Sequence, residues 1–144
     1  MVGFEVQMNG ATFLYGVGTG EFLGAFFDTV AVKLEGGKRG ERFPTVFALY
    51  RGERISFPKL LDLRDEVNTI HVELKSFLPN EVIWDMDDSS KRPPWGNNIS
   101  NEITDLSNYF VTCGGKQLFS VLLHAIHHAV ELKSSIIIKS TFEH

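Results

Sequence analysis

Apolar residues recur with the period of an α-helix along residues 21–34. At about 100° per residue, six of them share one stripe, namely Phe22, Leu23, Phe26, Phe27, Val30 and Leu34. Glu21, Ala25 and Asp28 lie on the opposite side of this predicted helix, and Thr19 stands at the position of an N-cap. The pattern therefore predicts a first helix with one buried face.

Similar patterns predict three further helices. A short one covers residues 44–50, a longer one covers residues 58–78, and the last covers residues 116–133. The core stripe of the longer helix consists of Leu60, Leu63, Val67, Ile70, Leu74 and Phe77. Leu61 and Val72 point away from that stripe, so either a second layer covers them or they join an intermolecular contact.

The remaining apolar segments are short and typical of β-strands. Residues 3–8 and 11–15 flank Asn9-Gly10, a pair that favours a type I′ turn, so a β-hairpin is predicted here. Three more strands are predicted at residues 82–84, 109–112 and 135–140.

The order ββ-α-α-α-β-β-α-β indicates a single α+β domain over residues 1–144. About three to four helices are expected to pack on a mixed sheet of about five strands. The final β-α-β unit is compatible with a parallel pair of strands joined by a right-handed crossover.

Composition and charge narrow the class of protein. Hydrophobic residues make up 43% and charged residues 22% of the 144 positions, as in ordinary globular domains. The net charge of −4 argues against nonspecific nucleic-acid binding and favours a basic partner. The one cysteine, Cys113, excludes an intrachain disulfide, and neither a signal peptide nor a membrane span is expected. These features favour a cytoplasmic protein.

Histidines on the last predicted helix form the candidate metal site. His124 and His128 share a helix face, and Glu131 lies three residues beyond His128, so the three are a possible ligand set. The helical wheel favours another interpretation, because these residues fill the solvent stripe of an otherwise apolar helix. The zincin motif is absent, and the glycines before the first helix fit no cofactor-binding motif. No cofactor and no catalytic residue are therefore expected.

Chemistry-bearing residues are densest in residues 82–98, VIWDMDDSSKRPPWGNN, which we call the charged loop. Asp85, Asp87 and Asp88 would raise one another's pKa unless a cation lies among them, and Lys91 follows closely. The spacing lacks the glycine and the twelfth-position glutamate of an EF-hand. A solvated acidic loop, a protein-binding surface, and a metal or catalytic cluster are the three interpretations of these carboxylates.

The second half of the charged loop is stiff. Pro93 and Pro94 fix the backbone twice and remove two hydrogen-bond donors, so they favour an extended arm. Trp95 follows at a rigid position. Its ring either folds back as a lid on the core or serves as an exposed anchor for a partner, since tryptophan is enriched at binding hot spots.

Four segments carry a family resemblance: VGTGEFLGAFFDTV, RFPTVFALYRG, PNEVIWDMDDSSKRPPWGNNIS and ITDLSNYFVTCGGKQLF. Their most specific block contains Trp84, Asp85, Pro93, Pro94, Trp95 and Gly96. With these segments in order over most of its length, the chain resembles the Immunity protein 70 family of bacterial polymorphic toxin systems.

The resemblance implies a small cytoplasmic antitoxin that is encoded beside a toxin. Such a protein binds the toxic C-terminal domain and acts by occlusion rather than by catalysis. Many partner toxins are nucleases with basic grooves, so Asp85, Asp87 and Asp88 are expected to mimic phosphates there, with Trp95 as a further contact. The motif residues are alternatively structural. The alternative function is a small metal-dependent hydrolase that uses His124, His128 and Glu131. The sequence predicts no particular oligomeric state.

Overall fold

The predicted β-hairpin begins the fold. A computed structural model describes residues 1–141 of the chain. Strand β1 (Val2–Met8) pairs antiparallel with β2 (Ala11–Gly18) around Asn9-Gly10. Gly10 has φ 77°, a conformation that glycine adopts without the steric cost of a side chain. The hairpin prediction is confirmed.

Two more strands complete a sheet with the order β2-β1-β4-β3. They are β3 (Ile55–Ser56) and β4 (Ser135–Ser140), and every neighbouring pair is antiparallel. The α+β class is confirmed, and the four strands are close to the expected count of about five. The sheet is antiparallel throughout rather than mixed, so the parallel pair with which the sequence was compatible is not formed. The segment before the last helix adds no strand to the sheet, so the expected β-α-β unit does not exist.

Four α-helices pack with this sheet. They are α1 (Gly20–Leu34), α2 (Pro44–Tyr50), α3 (Lys59–Glu73) and α4 (Leu118–Glu131). Thr19 caps α1 as predicted, since its Oγ1 accepts a hydrogen bond from the Phe22 N–H at 3.1 Å. Helix α3 is shorter than predicted, because its final turn tightens into a 3₁₀ turn at Leu74–Ser76. None of the helices in residues 1–141 has both the length and the apolar character needed to cross a membrane.

Helix α1 is the centre of the core. All six residues of its predicted stripe are buried, and the Phe26 ring lies 5.3–5.4 Å, nearly edge-on, from the rings of Phe27, Phe110 and Phe119. The predicted polar side of this helix is wrong in part, because Ala25 and Asp28 are buried as well. The segment that follows α3 covers this side of α1, as the hydrogen bonds described below show.

The predicted strand at residues 109–112 is not formed. Val111 makes an isolated bridge with Gln117, and the Thr112 N–H donates to the Lys116 carbonyl at 2.7 Å. The chain thus turns back on itself just before α4 and satisfies its backbone groups locally. This is why an apolar run with strand-like composition joins no sheet here.

Leu61 and Val72 on α3 differ in burial. Leu61 is half-buried, whereas Val72 exposes 61% of its surface. Within residues 1–141, therefore, no second layer covers Val72. Phe77, which was predicted in the core stripe of this helix, lies beyond its end and is half-buried.

Arg42 ties the end of α1 to the end of α3. Its guanidinium donates to both carboxylate oxygens of Glu73, at 2.7 and 2.6 Å, and to the Leu34 carbonyl at 3.0 Å. The buried Glu35 carboxylate accepts from the backbone N–H groups of Arg42 and Phe43. The hydrogen bonds from Arg42 hold the pKa of Glu73 below its ordinary value.

This ion pair predicts an acid-dependent contribution to stability. Since the folded pKa of Glu73 is depressed, the contribution is fully present above the ordinary pKa of 4.5 and is lost as pH falls through the folded value. The difference in free energy of unfolding between the wild type and Glu73→Gln should therefore shrink on acidification. Urea denaturation from about pH 7 to about pH 3 measures it. A difference that stays constant over this range would contradict the prediction.

The aromatic cluster predicts a large cavity effect. Phe26→Ala should lower the free energy of unfolding by about 3–5 kcal/mol, because a buried ring is lost and its cavity cannot fully collapse. The control is Val72→Ala, at an exposed site, with an expected change within about 0.5 kcal/mol. Urea denaturation measures both, and equal effects would show that α1 is not the centre of the core.

Candidate partner-binding site

The charged loop begins as an extended segment held by α1. The predicted strand at residues 82–84 is wrong, because no strand within residues 1–141 pairs with it. Thr29 of α1 takes the place of one: its buried hydroxyl donates to the Ile83 carbonyl and accepts from the Ile83 N–H, both at 3.1 Å. Trp84 is buried. A side chain on a helix thus satisfies the backbone groups that a neighbouring strand would otherwise bond.

Asp28 holds the next part of the loop. Its Oδ2 accepts from the Met86 N–H at 2.9 Å, and its Oδ1 accepts from the Arg39 guanidinium at 2.6 Å. Asp28 is 7% exposed, so its charge is compensated by Arg39 inside the protein rather than by water. Asp28 and Thr29 together fix the backbone on both sides of Trp84 and Asp85.

The three predicted carboxylates lie on consecutive turns and differ in exposure. Asp85 is half-buried, its Oδ1 accepts from the Asp87 N–H at 2.9 Å, and its Oδ2 lies 3.6 Å from the Lys91 ammonium. Asp88 is exposed and accepts from the Ser90 N–H at 3.0 Å and the Ser90 hydroxyl at 2.5 Å. The Ser90 hydrogen bonds hold the pKa of Asp88 below its usual value. The expected cation among the carboxylates is therefore Lys91, which faces Asp85.

Asp87 is the freest of the three carboxylates. Across residues 1–141 its carboxylate accepts no side-chain or backbone hydrogen bond and joins no salt bridge, and the residue is exposed. Because Asp87 and Asp88 point to solvent from a backbone that Asp85 braces, the loop presents two exposed carboxylates in a defined arrangement.

Trp95 folds back onto the core but stays partly exposed. Its Nε1–H donates to the Tyr109 hydroxyl at 2.9 Å, and its ring lies 5.3 Å from the Trp84 ring at 84°. Its exposed fraction is 38%. Burial raises the pKa of Tyr109, and the hydrogen bond from Trp95 opposes that rise. Part of the Trp95 ring therefore packs on the core, as the lid interpretation expects. The rest of the ring stays exposed as a rigid apolar surface.

A cleft of about 1030 Å³ opens between the charged loop and the end of α1. Its lining carries charges of both signs, and two of its carboxylates face lysines: Glu81 lies 3.9 Å from Lys33, and Asp85 lies 3.6 Å from Lys91. Asp87 and Asp88 are not part of the lining. The loop thus turns one carboxylate inward to the cleft and two outward to solvent.

The structure does not assemble the histidine site. His128 Nδ1 lies 2.8 Å from the Tyr15 hydroxyl, and Glu131 lies 3.1 Å from His127, not beside His124 or His128. In the described part of the chain, no three His, Cys, Asp or Glu side chains are grouped so that they could hold a metal ion. The geometry therefore does not support the hydrolase alternative.

Sequence reasoning identified the carboxylates and Trp95 but missed the residues that position them. Asp28, Thr29 and Tyr109 make the anchoring contacts, and Lys33 lines the cleft. The available signal was the adjacent polar pair Asp28 and Thr29 inside an otherwise apolar helix. Such a pair predicts partners from elsewhere in the chain, but it does not say which.

The family model for Immunity protein 70 matches residues 8–138, a range that includes the whole charged loop and α4. The chain belongs to the Immunity protein 70 family. Searches among curated proteins and among solved structures returned no significant match. The resemblance drawn from the four sequence segments is thus confirmed, and the family assignment makes the chain an immunity protein of a toxin system.

Asp28 tests how the charged loop of this immunity protein is held. Asparagine has one acceptor oxygen where aspartate has two, so Asp28→Asn must leave either the Met86 N–H or Arg39 without its partner. We expect a loss of about 1.5–3 kcal/mol in the free energy of unfolding and faster hydrogen exchange at the Met86 amide.

The matched control for Asp28 is Asp62→Asn, which removes an exposed carboxylate 3.2 Å from Lys59. It should change the free energy of unfolding by less than about 1 kcal/mol and leave exchange at Met86 unchanged. Unaltered exchange at Met86 in Asp28→Asn would contradict the anchoring role.

Proposed function

We propose that this immunity protein neutralises the toxic C-terminal domain of a co-encoded toxin by binding over its active site. The charged loop makes the contact, with Asp85, Asp87 and Asp88 opposite a basic substrate groove and Trp95 as a rigid apolar contact. A nuclease is the toxin class that fits, because its groove binds phosphates and the carboxylates imitate them. The proposal places the complex in the cytoplasm of the producing cell.

The observation that carries this proposal is the outward presentation of Asp87 and Asp88 from an anchored backbone. A flexible acidic loop would lose conformational entropy on binding, whereas this one is already ordered by Asp28, Thr29 and its own turns. Ordered carboxylates also give a fixed local field, which steers a basic partner at long range.

The second half of the charged loop adds an apolar contact, Trp95, to the same proposed binding surface. Trp95 is oriented by its bond to Tyr109 and by contact with Trp84, so its exposed part has one position. Rigid aromatic side chains contribute large contact area at low entropic cost. The carboxylates are thus assigned to steering and charge matching, and Trp95 to contact area.

The test replaces the three carboxylates by amides and measures binding to the toxin domain encoded beside this chain. Asn keeps the acceptor oxygen with which Asp85 braces Asp87, so Asp85→Asn, Asp87→Asn and Asp88→Asn together remove charge with little change of shape. The association rate at low salt should fall by about tenfold or more, and the salt dependence of binding should flatten. Stopped-flow or surface-based kinetics over a salt series measures both.

The matched control removes the same charge elsewhere: Asp62→Asn, Asp65→Asn and Glu131→Gln, all at exposed sites. It should reduce the association rate only slightly, since its charges lie outside the charged loop. If both triple variants bind alike, net charge rather than the charged loop steers association. If the loop variant binds and protects as the wild type does, the toxin contacts another surface.

A further inference from the structure

Strand β2 is an edge of the sheet, and most of its outer side is open. Within residues 1–141, one backbone hydrogen bond reaches β2 from outside the hairpin: the Cys113 N–H donates to the Val17 carbonyl at 3.1 Å. Residues 11–16 are therefore free along their outer edge. The opposite edge strand, β3, has two residues and offers too little backbone for pairing.

The register shows which groups point outward. The Met8–Ala11 pair closes a two-residue turn, so its residues bond each other and the ladder alternates from there. The carbonyl of Gln7, which lies opposite Thr12, instead accepts from the Ser134 hydroxyl on the far side of β1. Thr12 therefore lies in a non-hydrogen-bonded pair, and its N–H and C=O face outward, as do those of Leu14 two residues on.

This edge lacks the features that normally prevent pairing. Its sequence, ATFLYG, contains no charged residue and no proline. Phe13 exposes 48% of its surface, and its ring lies 4.7 Å from the Tyr15 ring and 6.1 Å from the His128 ring. An ordered aromatic side chain thus stands exposed beside a row of free backbone groups.

We propose that this β2 edge pairs antiparallel with the β2 edge of a second copy of the chain, joining two four-stranded sheets into one. In an antiparallel pair related by a two-fold axis, the residue on the axis lies opposite its own equivalent, and residues equally far from it on either side lie opposite each other. Because the strand carries no charged residue, no pair in such an interface sets like charges against each other. A register centred on Phe13 places the outward N–H and C=O of Thr12 opposite those of Leu14 in the second copy. It also places Ala11 opposite the larger Tyr15 of that copy.

The proposal is independent of toxin binding, because it uses the β2 edge and not the charged loop. The test is sedimentation velocity of the full chain from about 1 to about 100 μM, a range over which mass action populates the dimer. A dimer is expected, and Phe13→Lys should raise its dissociation constant by at least about tenfold. Thr12→Pro removes an outward N–H and should act in the same direction without disturbing β1.

The matched control is Val72→Lys, which adds the same charge at an exposed apolar residue of α3. It should leave the dimer intact, and circular dichroism should show that all variants fold. A wild type that stays monomeric over the whole range would overturn the proposal. A dimer weakened by Val72→Lys rather than by Phe13→Lys would place the interface on α3 and overturn the proposal. A monomeric wild type in which Phe13→Lys weakens toxin binding would show that the β2 edge binds the toxin instead of a second copy.

Discussion

The need to satisfy buried backbone groups determines how this protein is built. Residues 74–117, between α3 and α4, contain no α-helix and no strand longer than an isolated bridge. Part of this segment is nevertheless buried, so its N–H and C=O groups require partners. Side chains on helices supply them: Thr29 bonds both polar groups of Ile83, and Asp28 bonds the Met86 N–H. Two adjacent residues of α1 thereby give backbone groups of the irregular segment the hydrogen-bond partners that a neighbouring strand would supply in a sheet.

This arrangement divides the charged loop into parts with different tasks. Trp84 is buried and Trp95 is bonded to Tyr109, so the two tryptophans of the most specific family block hold the loop on the core. Asp87 and Asp88 lie outside those contacts and face solvent. Because neither carboxylate bonds to a residue outside the charged loop within residues 1–141, their replacement should cost the fold little.

Most regular elements could be predicted because their patterns are local. The Asn9-Gly10 turn, the Thr19 cap and the helical stripes depend on residues a few positions apart. The predicted strands at residues 82–84 and 109–112 failed for the opposite reason. A short apolar run indicates burial but not its partner. Here Ile83 bonds a side chain of α1, and the Phe110 carbonyl accepts from the N–H of Leu118, the first residue of α4. Pairing of β4 with β1 spans nearly the whole chain and leaves no local signal.

The charged and aromatic residues of the candidate site could be predicted from the sequence, but the shape of the site could not. Carboxylates, prolines and Trp95 are visible as composition, whereas the cleft and the anchoring role of Asp28 arise from contacts between residues more than fifty positions apart. A physical rule connects the two kinds of information. Polar residues inside an apolar helix, such as Asp28 and Thr29, use their polar groups in hydrogen bonds within the protein. Polar residues whose groups are not used in this way, such as Asp87, are available to a partner.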